Sequence, residues 1–573
     1  MTDFRVRSGS AKKGKKRMES ICIRRNIPVH ALTRKAFALA VLIPALGLSA
    51  VPARAAAPAV KSSPNIVFIL SDDLGWGDVG YHGAEFATPT LDQLAKRGVA
   101  LNRYYTYAVC SPTRAALMSG RSSLETGVDA PIAREKVLPM DAKLLPQYLH
   151  DRGYQTVMVG KWHLGQARTE YMPFRRGFDY FYGFLGGFID HYTHLSGEES
   201  RLDWQRNGAS LRETGYSTDL FTADAIRQIR GRDRSKPLFL YLAYDAPHTP
   251  LQAPQDEIDR FKNIADPARR TYAAMVHHFD AQLARVLETI EAEGMSKNTL
   301  IIWASDNGPA PGGGSSSGGL RGTKGTSFEG GQRVPAIAYW PGHISGGKPL
   351  ESAVTVLDWF PTLIRLAGGT VPTDKLIVGR DVLPVLTRQT SGAQAKMVIG
   401  NHAVASGGFY ESAYRWPWKA LRAPSALVSP ESSKGSAAKP STDSDSRTVM
   451  LFDVMADQYE KNDVSAKHPD ILRQLVADLD AAPHAKESLS AAGQAEAQRA
   501  TAAKAQRSAS TSAAAGGMAD DVIASDLPSG PAAIFAPPGM PGGESVFKAL
   551  TEERGEPVAE ASARASAAAA VAK

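Results

Sequence analysis

The chain has 573 residues, 43% of them hydrophobic and 22% charged, with a formal net charge of +8. That length allows more than one domain, and the balance fits a globular protein with a sizeable core. Residues 1–55 hold twelve Lys and Arg against two Asp and Glu, a surplus of ten that exceeds the whole chain's +8 and leaves the remainder at −2. The basicity therefore belongs to the leader, and a nucleic-acid-binding body is excluded.

The leader has the three parts of an export signal. A basic region runs from Arg5 to Lys35, an apolar stretch from Ala36 to Val51, and Ala53-Arg54-Ala55 offers small residues for cleavage. The apolar stretch is short and broken by Pro44, so it is no stable membrane span, and no later segment is long and apolar enough to be one. The expectation is an exported chain, periplasmic or secreted. Of the two cysteines, Cys22 would leave with the leader. Cys110 would remain alone, which rules out an internal disulfide.

Pro64-Asn65-Ile66-Val67-Phe68-Ile69-Leu70 reads as a buried strand that runs into Ser71-Asp72-Asp73-Leu74-Gly75. Adjacent carboxylates at a buried strand end repel each other and call for a hard cation, a solvated turn being the plain alternative. A helix from Thr90, closed by Gly98, precedes a strand over Val99 to Tyr107. In Val109-Cys110-Ser111-Pro112-Thr113-Arg114, Pro112 suits a first helical position. That sets Cys110 beside a helix N-terminus, where anions settle, with Arg114 as a fixed cation. Lys143 to Arg152 reads as a helix, and Thr156 to Gly160 as a strand that delivers Lys161-Trp162-His163.

The pattern repeats. Leu238 to Tyr244 is a strand ending in Asp245-Ala246-Pro247-His248, followed by a long helix from Pro267 to Glu293. Thr299 to Ser305 is a strand ending in Asp306-Asn307-Gly308. A Gly/Ser-rich loop then leads to Gly322-Thr323-Lys324, and Val334 to Trp340 is one more strand. Alternating strands and helices predict an α/β domain whose ligands bind at the carboxyl ends of the strands. Those ends carry Asp72, Asp73, Lys161, His163, His248, Asp306 and Asn307. His191 and His194 could line the same pocket or simply pack. Leu357 to Leu363 opens the last helix of this domain. Residues 390–480 read as a small α+β domain interrupted by a flexible insertion at 423–447, and residues 481–573 as a disordered Ala/Ser/Gly/Pro-rich tail.

Taken singly, a His after a strand or a Lys in a glycine-rich loop is usually just solvated. The joint set is more specific. Cys110 to Arg121, with its Cys-x-Pro-x-Arg and closing Gly-Arg, together with Ser71 to Gly75, Gly160 to Gly165, Ala246-Pro247-His248, Asp306-Asn307-Gly308 and Gly322-Thr323-Lys324, resembles the sulfatases over residues 64 to about 480. The wording is similar to arylsulfatases of the N-acetylgalactosamine-sulfatase type.

The resemblance implies an alkaline-phosphatase-like large domain over residues 60–389. Its central sheet would be mixed but mostly parallel and flanked by helices. It also implies that a formylglycine-generating enzyme converts Cys110 to formylglycine, whose hydrate attacks sulfur and forms a covalent sulfo-enzyme intermediate. Asp72, Asp73, Asp306 and Asn307, with the hydrate at Cys110, would hold one divalent cation. The all-oxygen donor set leaves Ca²⁺ and Mg²⁺ open, and the family favours Ca²⁺. Arg114, Lys161 and Lys324 would offset charge; Lys324 and His248 would hold the sulfate or protonate the leaving alcohol; His163 would take the proton that expels sulfate. The substrate would be an aryl or glycan sulfate ester. The rivals are a phosphate or phosphonate monoester hydrolase on the same scaffold and a non-catalytic glycan-binding relative.

Overall fold

The computed structural model describes residues 63–132, 136–198, 200–373, 377–390, 396–402, 409–425 and 447–482. The expected leader, most of the 423–447 insertion and the expected tail beyond 482 lie outside the described residues.

In chain order the elements begin with β1 (Asn65–Ser71), α1 (Pro89–Arg97), β2 (Val99–Ala100), β3 (Tyr104–Tyr105), α2 (Cys110–Ser119), α3 (Ser123–Thr126) and α4 (Leu145–His150). β4 (Gln155–Lys161), β5 (Tyr180–Phe184), β6 (Gln205–Arg206), β7 (Ala209–Ser210), α5 (Ser217–Gly231), β8 (Leu238–Ala243), α6 (Gln255–Arg260) and α7 (Pro267–Ala292) follow. Then come β9 (Thr299–Ser305), α8 (Glu329–Gln332), β10 (Ala336–Tyr339), β11 (Val354–Thr355), α9 (Trp359–Leu366) and α10 (Leu383–Leu386). The last five are β12 (Lys396–His402), β13 (Phe409–Arg415), β14 (Trp418–Pro424), β15 (Arg447–Asp453) and α11 (Pro469–Asp480).

The large sheet has the order β2-β10-β9-β1-β8-β4-β5-β6-β7. Its middle five strands, β9 to β5, are parallel, and each strand outside them pairs antiparallel with its inner neighbour. This is the mostly parallel mixed sheet of the expectation. The alternation of side chains in β1 explains why helices cover both faces. Ile66, Phe68 and Leu70 join a core with α2, α4 and α9, while Val67 and Ile69 join a second core with α1, α5 and α7.

Four expectations need correction. The single strand over 99–107 is two short pieces, because the chain turns after Leu101: β2 pairs with β10 while β3 pairs with β11. The helix at Cys110 starts at the cysteine itself, so Pro112 is its third residue. A further helical turn, α10, follows α9. β5 and α5 have no counterpart in the sequence reading. In β5 Gly183 interrupts the aromatic run, and the polar start Ser217-Thr218-Asp219 hides α5's apolar stripe of Phe221, Ala225 and Ile229.

β12 to β15 form a four-stranded antiparallel sheet, and Leu475 and Leu479 of α11 pack on its Ala413, Ala420 and Leu451. A buried charged trio joins this sheet to α8. Lys419 Nζ lies 3.2 Å from Glu329 Oε1 and 2.8 Å from Glu460 Oε1. Two carboxylates thus share one ammonium, and burial lifts the Glu460 carboxyl to about 7 against the pull of Lys419. Above its ordinary pKa of 4.5 the unfolded Glu460 loses its proton while the folded one keeps it, so this group's contribution to stability falls as pH rises from 4.5 to about 7. Glu460→Gln should leave a balanced Lys419–Glu329 pair and flatten this dependence. Urea unfolding of both proteins across that pH window reads it as a difference in slope.

Candidate active site

Four parallel strands deliver polar residues to one end of the sheet. β1 ends into Asp72 and Asp73, β9 into Asp306 and Asn307, β4 closes on Lys161 just before His163, and β8 leads to Asp245 and His248. Backbone bonds continue the ladder past the strands: Asp72 N donates to Ala246 O (3.0 Å) and Asp306 N to Ser71 O (3.0 Å). Helix α2 enters from the side, buried along its whole length, and brings Cys110 and Arg114. The loop after β9 brings Lys324, held by Gly325 N donating to Ala108 O at 2.7 Å.

These side chains interlock as ion pairs. Arg114 donates from Nη2 to Asp306 Oδ2 (2.8 Å) and from Nη1 to the Lys161 carbonyl (3.0 Å), and its Nη2 lies 3.6 Å from Asp72 Oδ2. Lys161 Nζ donates to Asp72 Oδ2 at 2.5 Å. Lys324 Nζ reaches both Asp73 oxygens, at 2.6 and 2.8 Å, and His248 Nε2 lies 3.5 Å from Asp73 Oδ2. Three carboxylates therefore meet three cations with little water to screen them.

Burial pushes the Asp72 carboxyl up, but Lys161, His248 and Arg114 bring it below its ordinary value. Asp73 follows the same balance, with Lys324 the chief cation. Asp306 goes the other way: burial and the Asp72 charge raise it. The Cys110 thiol is raised by burial against the pull of Lys161 and Lys324. His163 is pushed well below the usual imidazole range by burial and by Lys161, Arg114 and Lys324, which holds it neutral.

Among the oxygens of the aspartates and the asparagine that close β1 and β9, Asp72 Oδ1 and Asn307 Oδ1 are buried without a hydrogen-bond partner. A buried acceptor without a donor costs free energy unless something else fills its lone pairs. Donor atoms of Asp72, Cys110 and Asp306 lie within 4.8 Å of one another, as do those of Asp72, Asp73 and His248. The donor chemistry and the orphaned oxygens fit a hard divalent cation. Such an ion would turn a balanced charge set into a positive one, matched to an anionic ligand.

Local backbone strain marks the same place. Asp73 and His163 hold φ of 67° and 57°, in the left-handed region that non-glycine residues avoid. Gly160, at φ 107°, lets β4 pass against β8, where a Cβ would lie 1.8 Å from Ala243 O. Neither ring nitrogen of His163 has a partner, while its carbonyl accepts from Ser111 Oγ at 3.0 Å. His248 and Lys324 are the more open residues, their side chains 12% and 13% exposed, so the mouth of the site lies beside them.

The structure brings Asp72, Asp73, Cys110, Arg114, Lys161, His248, Asp306, Asn307 and Lys324 into one cluster, with His163 beside it. It does not place His191 and His194 in the mouth. His191 is buried behind the His248 turn, and His194 stacks on Trp204 at 4.1 Å. Asp78 carries no role in the sequence motifs. It takes Arg269 Nη1 (2.6 Å), Tyr272 Oη (2.9 Å) and Ser316 N (2.7 Å), and so ties the Asp72–Asp73 loop to the Lys324 loop. Only its place five residues after Asp73 could have signalled it.

A family model described as Sulfatase matches residues 64–369. The chain belongs to the sulfatase family. It is 37% identical to mouse arylsulfatase J over 458 residues, covering 74% of this chain and 76% of that one. It is 34% identical to mouse N-acetylgalactosamine-6-sulfatase over 408 residues, 66% and 76% of the two chains. Among solved structures, Ps i-CgsB in complex with k-i-k-neocarrahexaose superposes with a TM-score of 0.65 at 31% identity, over 73% of this chain and 92% of that one. The protein is thus a sulfuric ester hydrolase.

Within this sulfatase, Arg114→Met should strand Asp306 without its two-pronged donor and lower stability by about 3 kcal/mol, the scale for breaking one side of a buried pair. Thermal and urea unfolding of the purified variant measure it.

Proposed function

We propose that the chain hydrolyses sulfate monoesters of aryl or sugar alcohols with a formylglycine made from Cys110 and one divalent cation, calcium ahead of magnesium, held by Asp72, Asp73, Asp306 and Asn307. The observation that carries the reading is the unpartnered pair Asp72 Oδ1 and Asn307 Oδ1 beside the buried Asp72–Cys110–Asp306 cluster. When present, the cation supplies positive charge against the sulfate oxygens, and the hydrated aldehyde supplies the attacking hydroxyl.

The chain's own residues account for the rest. A sulfate ester is wrapped in negative oxygens, so attack on sulfur requires fixed positive charge around it. Arg114 and Lys161 give this at the base of the pocket and Lys324 at its mouth. His248, beside Lys324 and open to the mouth, is positioned to hold the sulfate or protonate the departing alcohol. His163, buried neutral with both ring nitrogens unpartnered, can accept the proton whose removal expels sulfate.

In this proposal residues 60–389 are the catalytic domain, 390–480 a small domain, and 1–55 an export signal for a periplasmic or secreted enzyme. A formylglycine-generating enzyme acts on it during maturation. No helix among the described residues is long and apolar enough to cross a membrane. The similarity to N-acetylgalactosamine-6-sulfatase favours sugar sulfates.

Cys110→Ala should abolish release of sulfate from 4-nitrophenyl sulfate, to below about a thousandth of wild type, with the unfolding midpoint retained. Mass spectrometry of the tryptic peptide Tyr104 to Arg114, from a host able to make the aldehyde, should read about 18 Da below the thiol form; an active Cys110→Ala protein or a wholly unmodified peptide overturns the mechanism. Chelation by EDTA should remove activity and lower the unfolding midpoint, with Ca²⁺ restoring both. Turnover of matched aryl sulfate and aryl phosphate separates the phosphatase alternative.

A further inference from the structure

His248 stands on the turn Asp245 to Pro250, and its ring is held by contacts at several points. Nε2 lies 3.5 Å from Asp73 Oδ2, Nδ1 lies 2.6 Å from the Thr249 carbonyl oxygen, and the Phe188 ring stacks on it at 5.4 Å and 27°. Behind the turn, away from the cation cluster, sits a second buried group: Asp245, Ser217 and His191.

Ser217 Oγ donates to Asp245 Oδ2 at 2.7 Å. His191 Nδ1 lies 2.9 Å from Ser217 Oγ and 3.1 Å from Asp245 Oδ2. On the other side of the same ring, Nε2 donates to the His248 carbonyl oxygen at 3.1 Å. Burial opposes charge on this imidazole, but Asp245 more than offsets it and raises the His191 pKa. The protonated ring suits both contacts at once, one N–H for the Asp245–Ser217 pair and one for the carbonyl.

The backbone around it is locked from both sides. His191 N donates to Gln252 Oε1 (2.9 Å), Gln252 Nε2 to Asp190 Oδ2 (2.7 Å), and Ser217 N to His191 O (2.8 Å). Gly197 lies against Phe188 so closely that a Cβ there would meet the ring at 1.8 Å, which keeps that ring pressed on His248.

We propose that His191, fixed by Asp245 and Ser217, is a positioning residue for His248: it holds the turn through the His248 carbonyl while Phe188 braces the imidazole at the leaving-group oxygen. This rests on the reading of His248 as the group that protonates the leaving alcohol. Neither His191 nor Phe188 touches the reacting atoms. A residue acting only in packing would lower stability without altering how the rate depends on the leaving group.

The test uses the full-length, aldehyde-bearing enzyme and two substrates, 4-nitrophenyl sulfate and phenyl sulfate, the second of which departs with greater need of a proton. His248→Ala is the control for the reading, and His191→Gln and Phe188→Leu test the inference. His248→Ala should lose about 100-fold more kcat on phenyl sulfate than on 4-nitrophenyl sulfate, the lower end of general-acid contributions. His191→Gln and Phe188→Leu should show the same selective loss at about a tenth of that ratio, with KM little changed. Equal losses on both substrates for His248→Ala overturn the reading, and the inference with it. A selective His248→Ala alongside unselective His191→Gln and Phe188→Leu overturns the inference and leaves the reading standing. Should His191→Gln fail to fold, Phe188→Leu, which leaves the buried ion pair intact, decides alone.

Discussion

The Arg114 guanidinium is the knot of the molecule. It is fully buried and touches Asp306, the Lys161 carbonyl and the neighbourhood of Asp72, so it joins one helix to the ends of three strands. A charge in such a place is tolerated only with its partners in position. The same holds for Lys161 against Asp72 and Lys324 against Asp73. Each pair makes the others necessary, because a missing member leaves an uncompensated charge away from water. The arrangement of strand ends is thus set by electrostatics as much as by packing.

The sheet makes this possible. Parallel strands place successive loops on one edge, and the alternation of side chains in β1 buries both faces beneath helices. The edge is left as the one place where polar residues can gather without disturbing either core. The strain at Asp73 and His163 is borne there because the surroundings over-determine it. Asp78 clamps the loop that carries Asp73 through Arg269, Tyr272 and Ser316, and Ser111 holds the His163 carbonyl. The small C-terminal sheet reaches the same region through Lys419 and Glu329, the latter on the short helix that follows the Lys324 loop.

Much of this was legible along the chain. The strands at 65–71, 155–161, 238–243 and 299–305 are short, apolar and bounded by polar runs, so their type and place could be read directly. The long α7 was equally plain. β5 escaped because Gly183 interrupts an aromatic run, and α5 because its first turn is polar. The start of α2 was misjudged by two residues, since Pro112 fits a first or a third helical position alike.

The residue types and their place after strands were fixed by the sequence alone: adjacent carboxylates need a cation, and Cys-x-Pro-x-Arg sets a thiol and a fixed charge on one helix. It could not say which carboxylate meets which cation, because those partners lie tens to hundreds of residues apart and no local rule pairs them. It also left His191 undecided between lining and packing. Only the folded chain, by bringing Ser217, Asp245 and the His248 carbonyl around that ring, set it behind the His248 turn. Burial and long-range pairing are properties of the fold, and they separate residues that look alike in the chain.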